Sequence, residues 1–360
     1  MRPVVWSSRS KSFSIFSLWG TLLVSAVASA LVALLVYLFW PSTYTATSSQ
    51  GLLLMAEVIF NIAGLRLPVV MTCANRAVSA PINIWNDQQD AVSIRDSGWI
   101  QLWSENAQEA YDNTIQAFRI AEHMDIRLPA MVCLDGFIIS HSIGRIEYLE
   151  DDEVQNFVGE FRKLNPLLDI ERPVSYGPLI LQDYYMEYRR AQAEVASKVS
   201  GVVLDVAQDF ENLSGRKYGL FDAYHLDDAE IGIIILNSAA GTTKDVIDEY
   251  RSRGIKAGLL KPRLYRPFPY RETGEALSHL KALCVLDRAD AFGGSFGPVY
   301  TDVAASLYPF QQRPILINKV YGLGGRDYLP EHAEMALNEL LEIAETGRVR
   351  NYKEYIGVRE

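Results

Sequence analysis

The stretch Thr45-Ala-Thr-Ser-Ser-Gln-Gly-Leu-Leu-Leu-Met55 passes from β-prone residues through a small polar loop into an apolar segment. It predicts a strand, a turn and a helix, and the chain downstream repeats that alternation. Leu52 to Leu65 is expected as a helix ended at Gly64. Leu67 to Cys73 is expected as a buried strand, because a short apolar run between a proline and a polar loop fits a parallel sheet. Ile100 to Trp103 and Pro129 to Leu134 read as further strands, with a helix from Ala107 to His123 between them and Ser104 as its N-cap. The segment 74–98 is long, polar and weakly periodic, and such segments in compact domains usually carry function.

The pattern restarts near Tyr218. Strands are predicted at Ile231–Leu236, Gly258–Leu260, Leu283–Leu286 and Pro314–Asn318, with helices at Lys244–Arg253 and Gly274–Leu280. This alternation predicts an α/β protein with a parallel, doubly wound sheet. Ala239-Ala-Gly-Thr-Thr243 and Gly293-Gly-Ser-Phe-Gly297 lie before helices, where backbone N–H groups can cradle phosphate. Neither matches a nucleotide fingerprint, and tight-turn geometry is the favoured explanation. Between the units, 166–178 reads as a linker and Leu179–Val206 as helical. Tyr184, Tyr185, Tyr188, Ala191, Val195 and Val199 form a packing stripe there. The expected organisation is an apolar N-terminal segment (1–43), a first domain (44–178), a helical linker (179–217), a second domain (218–345) and a tail (346–360).

At 360 residues the chain has room for two ordinary domains. Its net charge of −10, without a basic stripe, argues against nucleic acid as a partner, since phosphate backbones require concentrated cation. Cys73, Cys133 and Cys284 are scattered through apolar runs, with no Cys-x-x-Cys and no paired histidines. They read as buried reduced thiols, and no metal or iron–sulfur site is expected from this chain. Ser12 to Trp40 carries no charged residue and exceeds the roughly 20 residues that span a bilayer. Hydropathy alone would make it a membrane helix with its N-terminus in the cytoplasm.

Several long irregular motifs occur in order: "TATSSQGLLLM", "LRLPVVMTCANRAVSAPINIWNDQQDAVSIRDSGWIQLW", "PAMVCLDGFIISHSI", "KPRLYRPFP" and "VLDRADAFGGSFGPVYTDVAASLY". From Tyr44 onward the chain resembles the α chains of the pyruvate:ferredoxin oxidoreductases, or pyruvate synthases. The resemblance implies a thiamin-diphosphate-binding domain of the pyrimidine type, followed by a transketolase C-terminal-like domain. It implies thiamin diphosphate and Mg²⁺ shared with a β subunit, and iron–sulfur clusters on partner subunits only. It also implies γ and δ partners, CoA as co-substrate, ferredoxin as acceptor and a cytoplasmic location rather than a membrane one. The implied activity is the reversible conversion of pyruvate and CoA to acetyl-CoA, CO₂ and reduced ferredoxin.

By that resemblance Thr47, Ser48, Ser49, Gln50 and Gly51 border the cofactor, with Gly51 admitting close backbone approach and the following helix offering free N–H groups. A simple helix cap is the alternative. Arg76 matches the family's carboxylate-binding arginine, its planar guanidinium suiting a 2-oxoacid, with Asn75 as a positioning donor. An interdomain salt bridge is the alternative for Arg76. The run Asn86–Asp90 either touches the site or packs subunits together.

One departure stands out. The family's glutamate that activates the aminopyrimidine lies upstream of this loop, after a Tyr-Pro-Ile-Thr-Pro motif, yet no Asp or Glu precedes Glu57 and that motif is absent. No catalytic residue is therefore identified. Residues 1–43 are expected to be a replaced or frame-shifted version of the family's N-terminus. The alternatives are the α chain of another 2-oxoacid oxidoreductase, or a non-catalytic, membrane-tethered relative.

Overall fold

A computed structural model of the chain describes residues 43–166 and 169–359. The apolar run 12–40, and with it the membrane and frame-shift expectations, lies outside the described residues.

The first strand β1 (Thr43–Thr47) leads into two short helices, α1 (Gln50–Leu54) and α2 (Ala56–Gly64), and then β2 (Val69–Asn75). After α3 (Gln89–Ser93) come β3 (Ile100–Ser104), α4 (Ala107–Glu122) and β4 (Ala130–Asp135). Three helices follow: α5 (Asp151–Val158), α6 (Tyr185–Ala196) and α7 (Val199–Ser214). The second half begins β5 (Phe221–Tyr224), β6 (Ile231–Ile235), α8 (Ala239–Ser252), β7 (Ala257–Pro262) and β8 (Leu264–Arg266). It ends with α9 (Tyr270–Leu277), β9 (Ala282–Asp287), α10 (Pro298–Leu307), β10 (Ile315–Val320), α11 (Pro330–Thr346) and β11 (Lys353–Tyr355).

The strands form two sheets, in the orders β1-β2-β4-β3-β8 and β11-β10-β9-β6-β7-β5. Every pairing is parallel except β3–β8 and β5–β7. Parallel strands are covered on both faces, which explains why β4 and β9 read as unbroken apolar runs. β8 belongs to the second half by sequence yet closes the edge of the first sheet, with Leu264 opposite Leu102. The units also share a core in which Leu52, Ile59, Trp99 and Trp103 pack with Tyr265, Val285, Val299 and Leu307. Burying such side chains contributes about 1.5–3 kcal/mol each, so the two halves stabilise one another. Lys261, at the end of β7, reaches back to Glu105 (3.0 Å) and Glu109, and buried Arg263 donates to Asn113 (2.7 Å) and Gln116 (2.9 Å) of α4.

Local details differ from expectation. The predicted helix 52–65 is broken at Met55 into α1 and α2. The N-cap of α4 is Asn106, whose Oδ1 accepts from the Glu109 N–H at 2.9 Å, while Ser104 ends β3 and accepts from Asn113 Nδ2. An asparagine adjoining the helix reaches that N–H directly, whereas Ser104 is held by the sheet. Helix α8 starts at Ala239, so the "AAGTT" residues form its first turn rather than a loop. In the stripe on α6, Val195 is buried but Tyr184 and Tyr185 are exposed, so only its C-terminal end packs. The segment expected as a helical linker supplies α7, whose Val199, Val203 and Phe210 cover the first sheet beside Leu102, Val132 and Leu264.

Candidate active site

In parallel α/β sheets, ligands bind beyond the carboxyl ends of the strands, and β2 ends there in Asn75 followed by Arg76. The backbones of Arg76 and Asn86 form an antiparallel bridge and the Ala77 N–H donates to Trp85 O (3.0 Å). Residues 78–84 thus leave the edge as an excursion before the chain returns through α3. That return places Asp90, fully buried, beneath the edge. Its carboxylate accepts from the N–H groups of Ser49 (2.8 Å), Arg76 (3.0 Å) and Ala91 (2.7 Å) and from Asn75 Nδ2 (2.8 Å). One acid therefore ties the 47–51 loop to the end of β2. Burial pushes its carboxyl up to about 6, while the surrounding donors pull the other way.

Above Asp90, Arg76 Nε donates to Ser48 Oγ at 2.6 Å, which brings the two predicted elements into direct contact. No carboxylate among the described residues pairs with this guanidinium, so the alternative of an interdomain salt bridge is not realised within the described chain. Arg216, by contrast, grips Asp112 at 2.7 Å and Arg266 grips Asp302 at 2.8 Å. The stem of Arg76 crosses the end of β4 at Gly136. A Cβ there would lie 2.6 Å from Asn75 O and 2.7 Å from Arg76 Cγ, so any other residue would push the guanidinium aside.

The loop residues divide by role. Ser49 is buried, and its hydroxyl is bonded to Ala77 O and to the Gln50 side chain, so it holds the loop together. Thr47 and Ser48 are half-buried, and Gln50 and Gly51 are exposed. A Cβ on Gly51 would lie 2.8 Å from Thr47 Oγ1, so glycine is what lets the strand end and the helix start approach. The free N–H groups expected after the loop are not there: Gly51 donates to Ser48 O (3.0 Å), and Leu52 (3.1 Å) and Leu53 (3.3 Å) donate to Ser49 O. The turn is tight enough to satisfy its own donors. Asn75 is fully buried and turns its amide toward Asp90 instead of outward.

The run Asn86–Asp90 joins the two units of the chain. Asp87 accepts from the Gly324 N–H (3.0 Å), the Gln88 N–H donates to Arg288 O (3.0 Å), and Gln89 Oε1 accepts from the Asp290 N–H (2.9 Å). Only Asp90 reaches the 47–51 loop. Asp135, at the end of β4, accepts from Asn237 Nδ2 (3.1 Å), the Ser238 N–H (3.1 Å) and the Ser238 hydroxyl, with Arg288 Nη1 at 3.6 Å. Asp287, at the end of β9, accepts from the Val299 (2.8 Å) and Tyr300 (3.2 Å) N–H groups and Asn318 Nδ2 (2.9 Å). Burial raises the Asp287 carboxyl to about 7. The helices at "AAGTT" and "GGSFG" therefore begin on the chain's own carboxylates.

The three cysteines are buried and unbridged. Among the described residues no helix is long and apolar enough to cross a membrane. Sequence reasoning gave Asp135 and Gly136 no role and met Asp90 only as the last residue of a polar run. The signal for the first two was an Asp-Gly pair ending an apolar run; Asp90 had none beyond its place in the long polar segment.

Residues 42–208 match the family model for pyruvate flavodoxin/ferredoxin oxidoreductase, thiamine diphosphate-binding, and residues 229–333 match core domain II of pyruvate:ferredoxin oxidoreductase. The pyruvate synthase subunit PorA of Thermotoga maritima is 47% identical over 88% of this chain and 80% of its own length. That of Pyrococcus abyssi is 42% identical over 88% and 80%, and the ketoisovalerate oxidoreductase subunit VorA of the same organism is 36% identical over 85% and 77%. A 2-oxoglutarate:ferredoxin oxidoreductase from Magnetococcus marinus shares the fold, with a TM-score of 0.57 at 17% identity over 88% of this chain. This chain spans about half, 55%, of that longer one. The chain belongs to the pyruvate:ferredoxin oxidoreductase family, as an oxidoreductase subunit of the pyruvate synthase α type.

Proposed function

We propose that the chain is the α subunit of a complex that converts pyruvate and CoA to acetyl-CoA and CO₂ while reducing ferredoxin, and that can run in reverse. The observation that carries this reading is the Arg76 guanidinium, held at the sheet edge by Ser48 and left without a carboxylate partner among the described residues. A bidentate fork in that position suits the carboxylate of a 2-oxoacid. Holding that carboxylate fixes the direction in which the neighbouring carbonyl points. Asp90 and Asn75 keep the platform rigid from below, and Gly136 leaves room for the arginine stem.

Thiamin diphosphate, when bound, supplies the electron sink for decarboxylation. Thr47 and Ser48 fit a border for it, being half-buried hydroxyls at the strand end, and Gly51 fits as exposed backbone without a side chain rather than as a donor. Ser49 does not fit, and neither does a substitute for the activating glutamate. Asp90 is buried under its own donors, and Glu57 sits exposed on α2. The reading therefore gives this chain substrate orientation and assigns it no proton transfer. Mg²⁺ and the diphosphate would be held by a β subunit and the iron–sulfur clusters by partner subunits, with γ and δ chains completing the assembly. CoA and ferredoxin as co-reactants support a cytoplasmic setting.

Pyruvate is favoured over branched 2-oxoacids because, within one organism, the pyruvate synthase chain is more similar (42%) than the ketoisovalerate chain (36%). The test is to purify the chain with the subunits that accompany it and measure CoA-dependent ferredoxin reduction with pyruvate, 2-oxobutyrate, 2-oxoisovalerate and 2-oxoglutarate. Highest kcat/KM with pyruvate is expected. Preference for either of the last two, or isolation without a cluster-bearing partner, would overturn the reading.

A further inference from the structure

The tripeptide Arg-Leu-Pro occurs twice, at Arg66–Pro68 and Arg127–Pro129, each time immediately before a strand of the first sheet. The strands are the neighbours β2 and β4, paired with Val70 opposite Ala130, so both arginines stand at the N-terminal edge of the sheet. That edge is about 20 Å from Arg76 along the strand. Both arginines adopt positive φ, 56° at Arg66 and 43° at Arg127, a conformation that side-chain-bearing residues seldom take and that persists only where the surroundings enforce it.

They line one open hollow of about 230 Å³ together with Leu65, Met124, Leu164, Asn165 and Tyr176. Arg127 is only 5% exposed. Its Nη1 donates to Arg162 O (2.8 Å) and its guanidinium lies over the Phe161 ring, while Arg66 donates from Nε (3.1 Å) and Nη2 to Ile126 O. Neither meets a carboxylate among the described residues. Burial and the neighbouring Arg127 both lower the affinity of the Arg66 guanidinium for its proton, as expected for like charges without a counter-ion. Arginine does not escape by deprotonating, so two such cations in one hollow call for an anion.

We propose that the twin Arg-Leu-Pro motifs build a binding site for one compact oxyanion of the phosphate class, distinct from the catalytic edge. A hollow of this size between two guanidinium groups suits a compact anion. Guanidinium N–H groups suit tetrahedral oxyanions, and beyond the bonds to Ile126 O and Arg162 O each arginine keeps further N–H donors for one.

The test uses the assembled complex and inorganic phosphate, at constant ionic strength with chloride as the balancing ion. Equilibrium dialysis should show one saturable phosphate per α chain, with binding at least about tenfold weaker in Arg66→Gln and in Arg127→Gln, the effect of losing one charge-assisted fork. Arg66→Lys, which keeps the charge at the more accessible position, guards against a folding failure and should bind with intermediate affinity. Glycerol phosphate binding as tightly as inorganic phosphate would support the site and assign it to a phosphate ester; weaker binding would support it and assign the free ion. Absence of saturable binding, or equal binding by wild type and the Arg66→Gln/Arg127→Gln double variant, would overturn the proposal.

Discussion

The carboxyl edges of the two sheets have the same architecture and opposite character. On the second sheet the positive helix starts are closed from within: Asp135 caps α8 across the unit boundary, and Asp287 caps α10 with help from Asn318. Beside β2 of the first sheet the buried Asp90 is spent on backbone N–H groups and on Asn75, and among the described residues the Arg76 guanidinium has one hydroxyl partner. An edge that neutralises itself has little left for a ligand. An edge that puts its carboxylate below and its guanidinium above remains able to bind an anion. The difference lies in where one acid points, not in the topology.

The comparison breaks most visibly at Asp90. Asp90→Ala leaves the Ser49 and Arg76 N–H groups and the Asn75 amide without their acceptor in a buried place, which should cost about 3–5 kcal/mol of stability. Denaturant titration would check it, and a loss below about 1 kcal/mol would show that the loop does not depend on this acid. Asp287 sharpens the contrast through pH. Its folded-state carboxyl titrates near 7, above the ordinary aspartate value, so its stabilising contribution is present at low pH and is lost as pH rises through about 7. An amide in its place would not titrate. The stability of wild type relative to Asp287→Asn should therefore fall by roughly 2–3 kcal/mol between pH 5 and pH 8, and a flat difference would contradict the assignment. The smallest effect belongs to Ser48→Ala, which removes the one hydroxyl holding Arg76. It should cost about 1 kcal/mol of pyruvate binding, seen as a several-fold rise in KM with Tm hardly moved.

Much of this was legible in the sequence. The alternation of short apolar runs and amphipathic segments located β2, β3, β4, β6, β9 and β10, because parallel strands buried on both faces are unmistakably apolar. It did not locate β8, a three-residue strand contributed to the first sheet from the second half, because nothing local marks a pairing across about 160 residues of chain. The meeting of Arg76 with the 47–51 loop was expected from the resemblance, and the structure brings them within one hydrogen bond. Ser49 was expected to border the cofactor and Asn75 to donate beside Arg76. Within the chain the Ser49 hydroxyl bonds Ala77 O and Gln50, and Asn75 Nδ2 bonds Asp90, since polar residue type alone does not say which way a side chain points. Gly51 was expected to admit close approach to the cofactor; the approach seen within the chain is to Thr47 of the same loop. The acids that organise both edges, Asp90, Asp135 and Asp287, resemble any other aspartate until burial and partners are known.

The most direct test of the central claim is steady-state kinetics of Arg76→Ala in the assembled complex with pyruvate as the varied substrate. Loss of a bidentate partner for the carboxylate should lower kcat/KM by roughly 30- to 1,000-fold, equivalent to about 2–4 kcal/mol, with the complex and its Tm intact. Unchanged pyruvate kinetics in that variant would contradict the account and remove Arg76 from the site.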